Sequence, residues 1–458
     1  MKFFLFLFLL YFGFPLVAVD LRWSPSELIQ SLPAGPLDAS QATLIALSLE
    51  NIPSSEINYY LSKIQKIWEG IKPELEGLST PDAKGDNLLQ ILHEKGVLKR
   101  YQTTQTRLST LLDRGDFNCV SSSLLYGILG SYLELEIAYV GTRDHVFCVL
   151  DTPGKKIDVE TTTALGFDPG LKRDFVDQFG KITGFSYVPP GKYTTRNTLD
   201  FRGLLGLLIQ NLIAEAQQKN DPFNPMGWAW DRWALEQTPE SRTFLLQNFK
   251  NLSAHRNQRK DFTLGLEEIA RMKQTFGPDP LLSLLHRDLA NNLLVQYFNE
   301  ESWLQARLVV EKEKDALGTL YFSWKANLEL GEAKYIYTLG GWEELRIWVY
   351  GDKSLTSNRQ EDILEPFSLQ EASKLVNSKK YKDARSFISQ LPESLRARPQ
   401  VAQLEKTIIY NMTVDIHNQF VDLMNNRDLQ GAREVLSRGL VDFPHSEILL
   451  QDFRLLKD

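Results

Sequence analysis

Cysteine is nearly absent from this chain: two residues in 458, Cys119 and Cys148. A disulfide framework is thereby excluded, and one Cys119–Cys148 bridge is the most that could form. Histidine is scarce too. Of the six, His93, His255, His286, His417 and His445 show neither His-Glu-x-x-His nor paired-ligand spacing, so no metal site is expected. No glycine-rich phosphate loop occurs, and no cofactor is expected. Charge of one sign is nowhere concentrated. The net −7 comes from mixed acids and bases without a basic block or basic–aromatic interleaving, which argues against nucleic acid as a partner. Long apolar runs are missing beyond the N-terminus; 201–214 is apolar but too short to span a bilayer.

The N-terminal run is of another kind. One lysine precedes a short apolar core, and Leu16-Val17-Ala18 supplies a small-residue exit. The pattern reads as a secretory signal over 1–18, implying a secreted or periplasmic protein with no stable membrane span after its removal. An uncleaved anchor is the alternative, for which the run is on the short side. The roughly 440 residues that follow are too many for one compact core, so two or more domains are expected.

What the chain does contain is centred on Arg114-Gly115-Asp116-Phe117-Asn118-Cys119-Val120-Ser121-Ser122-Ser123. Asp116 and Asn118 are both plausible N-caps for a helix over 119–132, whose apolar face is Val120, Leu124, Leu125, Ile128, Leu129 and Leu133. The positive end of a helix dipole stabilises a thiolate, and free first-turn N–H groups can hold a developing oxyanion. For the second oxyanion donor, Tyr101, Gln102 and Asn118 are unranked candidates.

Around this stretch the reading is α+β. Helices are expected over 39–49, 54–74 and 86–96, then strands over 135–141, 145–150 and 156–160, with Asp151-Thr152-Pro153-Gly154 as the turn between the last two. The segment 180–190 reads as a closing strand and linker. From 199 onward strand signals nearly vanish. Ala306, Ala384 and Ala432 recur inside helix-turn-helix patterns, with Ala372, Leu375, Tyr381 and Pro444 where a degenerate tetratricopeptide-like unit would place them. Such an array is an interaction or packing platform. The aromatic run Gly227-Trp228-Ala229-Trp230-Asp231-Arg232-Trp233 reads as a packing seam rather than a carbohydrate or peptide platform.

Alternation on the strand after Asp144 puts His145, Phe147 and Val149 on one face and Val146, Cys148 and Leu150 on the other, toward the core. If the turn closes with Thr152 opposite Lys155, His145, Asp158 and Glu160 share a face. Glu160 is then the diagonal neighbour of His145, about 7 Å away between backbones, and Asp158 is a step too far. Glu160 is therefore expected to orient the imidazole and His145 to take the Cys119 proton. Taken singly, each residue has a blander reading: a small apolar helix start or a disulfide half for Cys119, a core histidine, a solvated strand edge for Glu160.

Phe117-Asn118-Cys119-Val120-Ser121, His145-Val146-Phe147 and Ile157-Asp158-Val159-Glu160-Thr161-Thr162 together resemble the core of the transglutaminase-like superfamily. The likeness is to its bacterial members, in which that core precedes tetratricopeptide-like helices, and it covers 108–167 and, loosely, the helical tail. It departs from the usual Val-Asp-Pro-Thr at 159–162 and has Phe147 where Trp is usual. The resemblance implies an α+β papain/transglutaminase-like domain over 19–192, with Cys119 as nucleophile, His145 as base and Glu160 as orienting acid. An all-α tetratricopeptide-like domain over 193–458 would follow. It further implies a cysteine peptidase or amidase: an exported hydrolase or acyltransferase acting on a peptide or isopeptide bond, with a protein or peptide as substrate and a possible protein partner on the helical repeats. The alternative is a catalytically silent scaffold carrying a helical protein-binding platform.

Overall fold

The computed structural model describes residues 21–142, 144–170, 172–184, 187 and 196–456. The expected signal at 1–18 lies outside the described residues. The chain divides into two compact units, one ending at Asp261 and the other running from Phe262 to the C-terminus.

The first unit opens with α1 (Glu27–Gln30), α2 (Ala39–Leu49), α3 (Ser54–Leu75) and α4 (Pro81–Glu94). Asp38 and Gln41 form a capping box on α2. Thr80 caps α4 with Pro81 in its first turn, which is why this helix starts earlier than the 86–96 read from the sequence. Next come β1 (Arg100–Tyr101), α5 (Leu108–Arg114), β2 (Asp116–Phe117), α6 (Cys119–Ser131), β3 (Glu136–Gly141), β4 (Val146–Thr152) and β5 (Lys155–Val159). The unit closes with α7 (Arg173–Thr183), β6 (Asn197–Leu199), α8 (Phe201–Gln218), α9 (Asn224–Glu236) and α10 (Pro239–Arg259).

β1 and β2 form a parallel pair, and the other strands form an antiparallel sheet in the order β5-β4-β3-β6. The β4–β5 hairpin pairs Thr152 with Lys155 and Cys148 with Val159, the register that the turn chemistry implied. α6 packs on β3 and β4 and is wrapped by α2, α4, α5 and α8. All of its residues from Val120 to Gly130 are buried. Each of its fully buried leucines and isoleucines stabilises the fold by about 1.5–3 kcal/mol. The sheet's second face is not solvated either: Val140, Phe147 and Val149 are buried there.

The segment 180–190 differs from expectation. Its described part begins inside α7, where Phe175, Phe179 and Thr183 are buried at four-residue intervals, a helical period, and Gly184 ends the helix in the left-handed conformation. The strand that completes the sheet is β6 instead.

A second difference concerns the boundary. α8 packs on α2, α6 and β3, with α9 and α10 stacked after it, so the first unit extends to 261 rather than 192. The tryptophan run belongs to this packing. Trp228 Nε1 donates to the Leu49 carbonyl at 3.0 Å, Trp230 lies edge-on to Trp233, and the Arg22 guanidinium grips Asp231 and the Gly227 carbonyl.

The described residues of the second unit are helical: α11 (Phe262–Phe276), α12 (Pro280–Asn299), α13 (Trp303–Lys312), α14 (Lys314–Leu317), α15 (Leu320–Gly351), α16 (Ser357–Asn377), α17 (Tyr381–Ser389), α18 (Glu393–Arg396), α19 (Pro399–Asn425), α20 (Leu429–Asp442) and α21 (Glu447–Leu455). Helices near one another in sequence pack together. Ala306, Ala384 and Ala432 are fully buried, small residues that let adjacent helices approach. Among the described residues no helix is long and apolar enough to cross a membrane.

Candidate active site

Cys119 is placed by the turn before it. Gly115 ends α5 with φ +74°, a left-handed conformation that glycine adopts without a steric penalty, and its N–H closes on the Leu111 carbonyl. β2 then runs alongside β1, and Asn118 caps α6 by accepting from the Val120 and Ser121 N–H groups at 3.0 and 3.1 Å. Of the two caps read from the sequence, Asn118 acts; Asp116 instead accepts from Arg100 Nε and Nη2, each at 2.9 Å. Cys119 thus occupies the first position of a buried helix and is itself half-buried.

His145 is held at the mouth of β4, where Thr142 donates to its carbonyl through both N–H and hydroxyl. Glu160 follows β5, and a short loop returns so that the Glu160 N–H meets the Gly166 carbonyl at 2.8 Å. No side chain fits at 166: a Cβ there would come within 1.9 Å of the Glu160 carbonyl oxygen. Glu160 is almost fully buried, and its two oxygens are divided. Oε2 meets His145 Nε2 at 2.5 Å, while Oε1 accepts from the Thr162 hydroxyl at 2.9 Å and the Thr162 N–H at 3.3 Å.

The remaining ring nitrogen, His145 Nδ1, is buried and makes no formed hydrogen bond. Cys119 is nevertheless close enough to act on the imidazole. Burial alone would lower the His145 pKa, but the Glu160 charge and hydrogen bond, with the Cys119 side chain, outweigh it and hold the pKa well above the ordinary 6.5. The three residues singled out from sequence therefore meet in one place. Asp158 is turned away to Arg196, at 2.6 and 3.2 Å, as its extra step along the strand requires.

Cys148 is on the other side of the sheet. It is fully buried, with Sγ directed at the Ser123 carbonyl at 3.7 Å, and burial pushes its thiol pKa far up. Both cysteines are free, which removes the bridge.

Several supporting groups escaped sequence reading. Phe179 of α7 meets His145 edge-on, ring centroids 5.5 Å apart. The Thr161 hydroxyl sits 2.7 Å from the Ser122 hydroxyl and its carbonyl 3.1 Å from His93 Nε2, tying the Glu160 loop to α6 and α4. The four-residue spacing of Phe175 and Phe179 was the available signal for the first; adjacency to Glu160 was the only one for the second.

Among the described residues no group of three or more His, Cys, Asp or Glu side chains could hold a metal ion. The second unit has a cleft of its own, about 490 Å³, between α17, α19 and α20. Lys380, Arg438, Asp415 and Asp442 line it together, and neither cysteine is among its lining residues. In comparisons with known proteins, no family model, no curated protein and no solved structure matches this chain.

Proposed function

We propose that this chain is an exported cysteine-dependent amide hydrolase or acyltransferase of the transglutaminase-like type, with a papain-like arrangement of its first unit. The observation that carries the reading is the state of His145: a largely buried imidazole tied to Glu160 by one nitrogen, with the other left unbonded beside Cys119. An imidazole held by a buried carboxylate and set beside a thiol at a helix start is placed to take that thiol's proton.

The Cys119 sulfur adds its electron pair to a carbonyl carbon, and the carbonyl π pair moves to oxygen. The Cys119 N–H is the first-turn donor that the Asn118 cap leaves untaken, and it meets that oxygen. When the carbonyl re-forms, the C–N bond breaks and the departing amine takes the proton from His145. A thioester remains on Cys119. Water or an amine then resolves it, with His145 accepting the second nucleophile's proton. Glu160, held by Thr162, keeps the ring oriented through both steps.

The substrate class is a peptide or isopeptide amide. The second unit, a stack of helix pairs of tetratricopeptide-like type, serves as a platform for a protein partner.

A glutaminyl peptide supplied with hydroxylamine tests the reading. Wild-type protein should yield hydroxamate or free acid, and Cys119→Ala neither. Iodoacetamide should alkylate Cys119 alone, leaving the buried Cys148 untouched. Turnover by Cys119→Ala at the wild-type rate, or labelling of Cys148 in its place, would overturn the assignment.

A further inference from the structure

The Cys119 N–H supplies one donor to the oxyanion, and the second must come from a side chain on the same side of the chain. The β1–β2 pair decides which. Arg100 is opposite Asp116 and Tyr101 opposite Phe117, so paired residues share a face of this two-stranded ribbon. Arg100 and Asp116 mark one face with their ion pair; Tyr101 and Phe117 mark the other, their rings 5.9 Å apart. Asn118 keeps an extended backbone, φ −124° and ψ −174°, and the alternation therefore carries through it. Cys119 emerges on the face of Phe117 and Tyr101.

The other two candidates are set aside by the bonds they already make or by the face on which they lie. Asn118 spends its oxygen on the α6 cap and its amide nitrogen on the Thr103 carbonyl at 3.2 Å. Gln102 lies on the Arg100 face, its amide oxygen accepting from Arg100 Nη2 at 2.9 Å in the orientation those donors require. The Tyr101 hydroxyl bonds to no described residue. It is half-buried, and the charges of Cys119 and Glu160 both bear on it, adding to burial in pushing the phenol pKa up and keeping the hydroxyl a donor.

We propose that the Tyr101 hydroxyl is the second oxyanion donor, acting beside the Cys119 N–H. The inference rests on the acyl-transfer reading above. As sulfur bonds to the carbonyl carbon, the oxygen takes up the π electron pair and accepts hydrogen bonds from the Cys119 N–H and the Tyr101 O–H. The phenolic proton stays on tyrosine throughout. Collapse returns the pair to the carbonyl and expels the leaving group.

Two reagents separate this role from support of the thiol. p-Nitrophenyl acetate acylates sulfur through an oxyanion and releases p-nitrophenolate without needing a proton. Iodoacetamide alkylates sulfur by displacement, with no oxyanion. In the full chain, Tyr101→Phe keeps the ring against Phe117 and should slow Cys119 acylation about 10²–10³-fold. Alkylation should keep its rate and its pH profile. Gln102→Ala should change neither reaction. Acylation of Tyr101→Phe at the wild-type rate, an equal loss in both reactions, or a selective loss in Gln102→Ala overturns the assignment to Tyr101. Cys119→Ala acylated as readily as wild type overturns the thiol reading and this inference together, an outcome distinct from the other three.

Discussion

His145 Nε2 and Glu160 Oε2 lie 2.5 Å apart on the ends of adjacent strands, with Glu160 almost wholly withdrawn from water. Because burial disfavours a lone charge, the pair is stable when the imidazole is protonated and the carboxylate ionised, each supporting the other.

This coupling has a consequence for stability against pH. His145 has a folded pKa held above 6.5 by the Glu160 charge and the Cys119 side chain against the opposing effect of burial. The folded chain therefore keeps a proton that the unfolded chain has released. The resulting stability is complete below about pH 6.5 and is lost as pH rises through the folded value. Thermal midpoints from pH 6 to 10 should fall more steeply in wild type than in Glu160→Gln, which lacks the charge. Parallel curves would refute the coupling. The same variant should acylate Cys119 about 10²–10⁴-fold more slowly, because the imidazole loses its ionic partner.

Gly166 is the position where the Glu160 loop admits no side chain. Gly166→Ala must displace the Glu160 carbonyl, at a cost of about 1–3 kcal/mol for an overpacked site, and acylation of Cys119 should fall with it. Gly70, in the exposed part of α3 with nothing near its Cβ position, is the control. Gly70→Ala should stabilise the chain by about 0.5–1 kcal/mol through helix propensity. Equal urea midpoints for the two variants would contradict the steric account.

Arg22 anchors the segment before α1 to α9. Asp231, itself buried, takes its guanidinium and also accepts from the Ser26 N–H at 2.7 Å. Arg22→Ala leaves that carboxylate buried without its cation. Since Arg22 is a third exposed, the expected loss is about 2 kcal/mol, below the full penalty for breaking a buried pair. Urea unfolding followed by tryptophan fluorescence should show it, because Trp228 and Trp230 lie in the same helix. An unchanged midpoint would show that the anchor does not matter.

Much of the site was legible locally. Asn118 three residues before Ser121 is a capping signal, and the strict alternation at 145–150 separates His145 from Cys148 without any knowledge of what lies behind the sheet. A four-residue turn set the register, and with it the choice of Glu160 over Asp158. Other features had no such local mark. Phe179 reaches His145 from α7, whose last turn runs into the segment 180–190 that read as a strand. α8 to α10 look like the rest of the helical tail in composition, yet α8 buries its apolar face on α2 and α6.

Short-range chemistry in the sequence determined where helices begin, which strand faces point inward, and that a thiol, an imidazole and a carboxylate could align. Those properties depend on capping groups and on a two-residue period, both encoded within a few positions. Only the tertiary structure decided on which face of the β1–β2 pair each competing donor lies, which helices close the first unit, and that the Tyr101 hydroxyl bonds to no described residue. Hydrogen-bond partners and packing surfaces brought together from distant parts of the chain leave no periodic trace in it.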